Sequence, residues 1–273
     1  MQEIRVALFT GNYNHIKDGV SLTLNRLVKF LEDNGISVLV FGPTIKEPEV
    51  DHYGRLVALP SMPIPISNRG EYRVTLGLSD KAERELEAFA PNLIHIATPD
   101  IGGLKALRWA QNNQVQVVSS YHTHFTSYLK YYGASAIEFL VWRYLSWFYN
   151  STTQVYVPSQ SMINELLKQG FSSDLRIWAR GVNTDLFSPK KRDEAWRNKH
   201  GFEHDDIVVT FVSRLVWEKE LDTFAQFLIN YDHDTCLANT VIKNELKDQM
   251  IEASMNNFEE FAAHLKNDDK DWF

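Results

Sequence analysis

The chain has 273 residues, 44% of them hydrophobic and 12% aromatic, with a formal net charge of −7, and it can bury the core of one large or two small domains. The charge is uneven: from Asp232 onward ten acidic side chains face four basic ones, leaving 25 acids and 24 bases before it, a balance that excludes nucleic acid as a partner. The single cysteine, Cys236, excludes an intramolecular disulfide and fits a reducing, cytoplasmic compartment.

The first expected element is a strand over Ile4–Thr10, IRVALFT, reached from Met1-Gln2-Glu3 with no secretory signal pattern. A loop through Gly11–Gly19 follows. Ser21 then reads as the N-cap of a helix over Leu22–Asn34, with Leu24, Leu27, Val28 and Leu31 inward. Gly35 ends that helix. Strands at Val38–Phe41 and Arg55–Leu59 precede an extended loop marked by Pro60, Pro63 and Pro65. Next come a helix at Asp80–Ala90, a strand at Leu93–Ala97, a helix at Gly103–Asn112 and a strand at Val115–Tyr121. A helix at Ala136–Tyr149, a strand at Gln154–Val157 and a helix at Ser159–Gln169 complete this half. Strands separated by helical crossovers predict an α/β fold with a doubly wound, Rossmann-like parallel sheet. Ligands of such sheets sit outside the carboxyl ends of the strands, so the loops after the strands hold the candidates. No apolar run is long enough to span a bilayer.

The loop after the first strand lacks the GxGxxG spacing of a dinucleotide binder. Gly19 stands just before a helix start, where a missing side chain would let a phosphate approach the backbone; it also suits an ordinary turn. The loop after the fifth main strand is Tyr121-His122-Thr123-His124-Phe125. His122 and His124 share a face if the strand continues. That is either a metal pair lacking a third ligand or two side chains bonded to backbone at a strand end. In EFLVWRYLSWFY, Glu138–Tyr149, the residues Phe139, Trp142, Leu145 and Tyr149 repeat at helical spacing, as a core face does. A membrane-surface helix would carry several Lys or Arg, and Arg143 is alone here.

Lys190–His200 reads as a helix, followed by a polar turn and a strand entering at Ile207. Val208–Phe224, VVTFVSRLVWEKELDTF, begins as a buried strand and passes through Arg214 and Lys219. A helix over Leu221–Tyr231 follows, with Leu221, Phe224, Phe227, Leu228 and Tyr231 on one face. A strand, a basic loop and a helix start together build an anion site; the alternative is a surface loop with two solvated bases. Toward the end, Leu246, Met250, Phe258, Phe261 and Leu265 recur at helical intervals, with Glu252 and Glu260 on the wet side.

Several of these segments share a resemblance. SRLVWEKELDTF resembles the phosphate-gripping segment of the retaining family 4 glycosyltransferases, which have two Rossmann-like domains (the GT-B fold). Glu220 stands where that family usually has Gly. Asp18-Gly19-Val20-Ser21 resembles the family's first glycine loop. Ser120-Tyr121-His122-Thr123-His124-Phe125 is similar to a loop of its mannosyl- and sulfoquinovosyltransferase-like members. VYVPS from Val155 and RGVNTDLFSP from Arg180 resemble the end of the first domain and the crossing into the second. These motifs run in the family's order from Ile4 to about Phe224. The resemblance implies an N-terminal Rossmann-like acceptor domain over 1–180 and a linker and stump of the donor domain over 181–231. An acidic helical tail over 232–273 would follow, with most of the C-terminal donor domain missing.

For function, the resemblance implies transfer of a hexosyl group from a nucleotide-diphosphate sugar to a hydroxyl of a lipid or glycan, without a metal or other cofactor. His122 would hold the donor sugar and Gly19 would admit the diphosphate. Arg214 and Lys219 would neutralise the diphosphate as it leaves, and Thr123 and His124 would shape the acceptor side. A lipid acceptor would bring the protein to the inner face of the membrane. The short donor lobe keeps a second expectation open: an incomplete acceptor-binding module, or half of a composite enzyme completed by a partner chain or a second copy.

Overall fold

The computed structural model describes residues 3–64, 72–122 and 138–208. Thr123, His124, Arg214, Lys219, the helix expected over Leu221–Tyr231 and the tail lie outside the described residues. Among the described residues nine strands occur in chain order: β1 Arg5–Phe9, β2 Ser37–Gly42, β3 Arg55–Ala58, β4 Ser61–Pro63, β5 Arg73–Thr75, β6 Leu93–Ile96, β7 Gln116–Ser120, β8 Gln154–Val157 and β9 Asp174–Ile177. Seven form one sheet in the order β3-β2-β1-β6-β7-β8-β9, every pairing parallel. The helices are α1 Gly19–Asp33, α2 Asp80–Phe89, α3 Ile101–Asn112, α4 Glu138–Asn150, α5 Gln160–Lys168 and α6 Glu194–Lys199. Two compact units divide the chain, 1–181 and 182–273.

A sheet covered on both faces needs strands that are apolar throughout. The β1 strand meets this with Val6, Ala7, Leu8 and Phe9, all buried. Its alternation sorts them. Ala7 and Phe9 join Leu39 and Phe41 of β2 in the larger core, with Leu86 of α2, Ala106 of α3, Phe148 of α4 and Leu166 of α5. Val6 and Leu8 join Val38 and Val40 in the smaller core under Leu24 and Val28 of α1. The Phe9 and Phe41 rings stack across neighbouring strands at 4.5 Å.

Several elements differ from the sequence expectation. The proline-marked loop instead holds β4, paired antiparallel with β5. These three-residue strands carry no alternation long enough to read. The β9 strand, Asp-Leu-Arg-Ile, was not expected, because its outer side is an edge and its charged residues face water. In α4 the buried residues are Trp142, Leu145, Phe148 and Tyr149, whereas Phe139 is 71% exposed. Phe148 takes the inward place because it sits one turn beyond Leu145 and Tyr144, on the side that meets the sheet. In the second unit the segment expected as one helix is a 3-10 turn at Pro189–Lys191 followed by the short α6. Asp193 caps α6 through its bond from the Trp196 N–H. Ile207 is exposed and lies in no strand.

Strand order reverses direction between β1 and β6, so the crevice there opens at their carboxyl ends. Its two loops are tied by a bond from Gly11 N to Thr98 Oγ1 of 2.8 Å. The start of α3 is fixed by Asp100, which accepts from Gly103 N at 3.0 Å and from Thr75 N at 3.1 Å. Helix and loop touch closely at Gly103, where an added Cβ would meet Thr98 O at 2.2 Å and the Ile96 side chain at 2.9 Å. Gly103→Ala is therefore expected to cost about 1–3 kcal/mol, the usual range for overpacking, seen as a lower urea midpoint. Gly181→Ala, with nothing among the described residues within 4 Å of its Cβ, should leave the midpoint where it was.

Candidate functional site

The exits of β1, β7 and β9 and the start of α1 supply the site. The loop after β1 folds inward, burying Tyr13, Asn14, His15 and Ile16. Tyr13 donates its hydroxyl to Tyr53 O at 2.6 Å. Buried Asn25 of α1 donates to Tyr13 O at 3.2 Å and accepts from Tyr53 N at 3.0 Å. This anchoring sets where the loop re-enters α1. The N-cap there is Asp18, not Ser21, and the helix opens at Gly19. Asp18 Oδ1 accepts from Ser21 N at 2.8 Å while Ser21 Oγ accepts from Asp18 N at 3.0 Å. Ser21 is thus the N3 member of a reciprocal capping box, which is why it resembled a cap in the sequence. Gly19 becomes the first helical residue, and among the described residues a Cβ placed on it would meet only Arg180 Nη1, at 4.0 Å.

His122 stands two residues past β7. Arg180, three residues past β9, holds it: its Nη2 donates to His122 O and lies at hydrogen-bond distance from His122 Nδ1, 3.0 Å in each case. The Trp178 ring packs edge-on against His122, with centroids 5.5 Å apart. It also packs against His95 at 6.3 Å and Tyr156 at 6.2 Å. His95 Nε2 is bonded to Ser120 Oγ. The result is an aromatic wall on one face of the sheet edge, with the imidazole of His122 set into it. His122 Nε2 is buried and has no hydrogen-bond partner among the described residues.

Burial dominates the electrostatics. Desolvation disfavours a charged imidazole, and it pushes His122 down to about 3, with the Arg180 charge and then His95 acting in the same direction. Burial alone takes His95 down to about 4. Burial also lowers Arg180, against the opposing pull of the Asp18 carboxylate; a guanidinium nevertheless keeps its charge in proteins. The edge thus offers a neutral imidazole, a permanent cation and an open helix start.

Of the residues singled out in the sequence, the structure brings His122 to Nη2 and Gly19 near Nη1 of one guanidinium, that of Arg180. Thr123, His124, Arg214 and Lys219 are outside the described residues. Sequence reasoning gave no role to Arg180, Trp178 or His95. Arg180 opens the quoted RGVNTDLFSP segment, but its reach back to β7 depends on β9, which sequence reasoning did not find. His95 lies in a strand that reads as apolar and gives no signal of its own. Among the described residues no group of three or more His, Cys, Asp or Glu side chains is placed to hold a metal ion.

Residues 17–186, more than half of the chain, match the model of Glycosyltransferase Family 4. The chain is 27% identical over 229 residues to a GDP-mannose-dependent alpha-mannosyltransferase of Corynebacterium glutamicum, covering 82% of this chain and 54% of that protein. It is 26% identical over 223 residues to the sulfoquinovosyl transferase of Arabidopsis thaliana, covering 80% and 43%. It is 20% identical over 243 residues to an alpha-monoglucosyldiacylglycerol synthase of Acholeplasma laidlawii, covering 84% and 61%. The chain spans about half the length of the curated relatives it matches. Among solved structures, a sucrose-phosphate synthase of Thermosynechococcus elongatus shares the fold, with a TM-score of 0.60 at 17% identity over 83% of this chain and 59% of that one.

Two histidines kept neutral by burial make stability depend on pH. The unfolded chain binds their protons below about 6.5, whereas the folded chain resists protonation down to about 4 at His95 and about 3 at His122. Unfolding therefore takes up protons across that window, and stability falls as pH drops through it. Between pH 4 and 6.5 the stability of His95→Gln should be flatter by about one proton, as measured by urea unfolding at a series of pH values. An unchanged slope would mean that His95 is not held neutral.

Proposed function

The chain belongs to Glycosyltransferase Family 4, and on that premise we propose that the whole protein moves a hexosyl group from a nucleotide-diphosphate sugar to a hydroxyl of a lipid or glycan. The bond from the sugar's anomeric carbon to the diphosphate breaks and a bond to the acceptor oxygen forms on the same face. The acceptor's proton leaves with the diphosphate. The relatives are named for GDP-mannose, for sulfoquinovose and for a glucosylated diacylglycerol, and these names support sugar transfer without fixing the sugar.

The observation that carries this proposal is the pairing of His122 and Gly19 around Arg180 at the sheet's carboxyl edge. A neutral imidazole with a free N–H can hold a sugar hydroxyl. A helix start without a side chain lets a phosphate approach its backbone N–H groups. Arg214 and Lys219 would add the charges that meet the diphosphate as it leaves. Thr123 and His124 would line the acceptor side, and no metal ion takes part. A lipid acceptor would take the reaction to the inner face of the membrane as a peripheral, cytoplasmic activity. No helix among the described residues is long and apolar enough to cross a membrane.

A second reading has one observation in its favour. The described groups at the site all belong to the unit 1–181, so this unit alone could bind an acceptor while a partner chain or second copy supplies the rest.

Calorimetric titration of the chain with GDP-mannose, UDP-glucose and UDP-sulfoquinovose separates the two. A binding heat with one donor, weakened about tenfold or more by Arg214→Ala, is the expected result; the loss of one charge-assisted bond is worth about 1.5–3 kcal/mol. Gly19→Ala should weaken the same donor while leaving the unfolding midpoint unchanged, since its Cβ finds space. No heat with any donor, and no effect of Arg214→Ala, would leave the acceptor-module reading in place for this chain.

A further inference from the structure

We propose that Arg180 is the positioning residue of this site: one guanidinium fixes His122 as an Nε2–H donor and carries a cation to the opening at Gly19. The proposal rests on the glycosyl-transfer reading for the identity of the ligands but not for its geometry.

A guanidinium has donors and no acceptor. Its N–H on Nδ1 therefore leaves Nδ1 only the accepting role. A neutral imidazole carries one proton, which must then sit on Nε2. Nη2 has two hydrogens, and the two His122 atoms within 3.0 Å of it, Nδ1 and the backbone O, use both. The bond to the backbone oxygen matters as much as the bond to the ring. It ties the strand exit itself to Arg180, so the ring cannot turn away without breaking a pair of bonds from one nitrogen. The Trp178 ring packs against the imidazole in a T-shaped contact.

Nη1 is left over. It makes no hydrogen bond among the described residues, and it is the atom nearest to a Cβ built on Gly19. There it adds a full charge to the partial positive charge of the first turn of α1. The Asp18 carboxylate is near enough to act on Arg180, and it already accepts from Asn12 Nδ2 at 2.7 Å and from Ser21 N at 2.8 Å. The charged and titratable groups acting on His122 are Arg180 from beyond β9 and His95 from β6. Neither supplies an acceptor that would draw the proton to Nδ1. A lysine at position 180 would offer one nitrogen and could not span both jobs.

The test uses the full chain with histidine ring nitrogens labelled with nitrogen-15, and His122 assigned by its loss in His122→Gln. The expected spectrum shows a pyridine-type Nδ1 and a pyrrole-type Nε2, unchanged from pH 5 to pH 8. In Arg180→Met, Nδ1–H should become populated and the His122 midpoint should rise by at least tenfold in proton affinity. A proton on Nδ1 in the unaltered chain overturns the proposal without any variant. So does an Arg180→Met chain with its tautomer and midpoint unchanged. Inorganic pyrophosphate, followed through the Gly19 amide, reads the other arm: at least tenfold weaker binding in Arg180→Met is expected, and equal binding overturns it. None of these readouts needs a sugar donor or turnover, so they stand apart from the proposed reaction.

Discussion

Desolvation at the sheet's carboxyl edge is the constraint on which the site depends. Trp178 packs against the imidazole of His122, with Tyr156 and His95 packed on Trp178 in turn, and His122 Nε2 is buried. In that setting a charged ring is disfavoured and an unpaired polar atom is costly. Nδ1 and the backbone oxygen of His122 are satisfied from a single source, the Arg180 guanidinium. The partner must be a group that stays protonated when partly buried, and arginine is the side chain that does so. Burial keeps the histidine neutral, and the permanent cation beside it acts in the same direction.

The sheet makes that meeting possible. All seven strands run the same way, so all their exits lie on one edge. The β7 and β9 strands are separated only by β8, which places residues 58 positions apart in sequence within hydrogen-bond reach. The reversal between β1 and β6 adds the start of α1 to the same edge. The packing that holds the edge is ordinary: alternating residues of β1 and β2 feed two cores, and loops are pinned by capping carboxylates at Asp18 and Asp100.

Helix α4 shows how a correct pattern can carry a wrong residue. A periodic apolar face was legible in EFLVWRYLSWFY, and Trp142, Leu145 and Tyr149 do face the core. Phe139 does not, and Phe148 replaces it. With aromatics on nearly every side of a helix, periodicity admits more than one inward stripe, and the choice falls to the surface it packs on. The same limit explains Ser21: a serine three residues into a capping box looks like the cap until the loop before it is seen to be anchored by Tyr13 and Asn25.

Most of the strand and helix order, the parallel sheet, and the placing of Gly19 and His122 in loops at the strand ends followed from the sequence alone, because local periodicity, caps and strand-end placement are encoded within a few residues. The family motifs were equally visible, since each is a short string. What only the tertiary structure decided was what His122 is bonded to. Arg180 reaches it because an edge strand with charged residues, β9, pairs beside β8, and nothing in the local sequence of either segment reports that pairing. Long-range contacts of this kind depend on which strands become neighbours, a property of the whole sheet and not of any one stretch of chain.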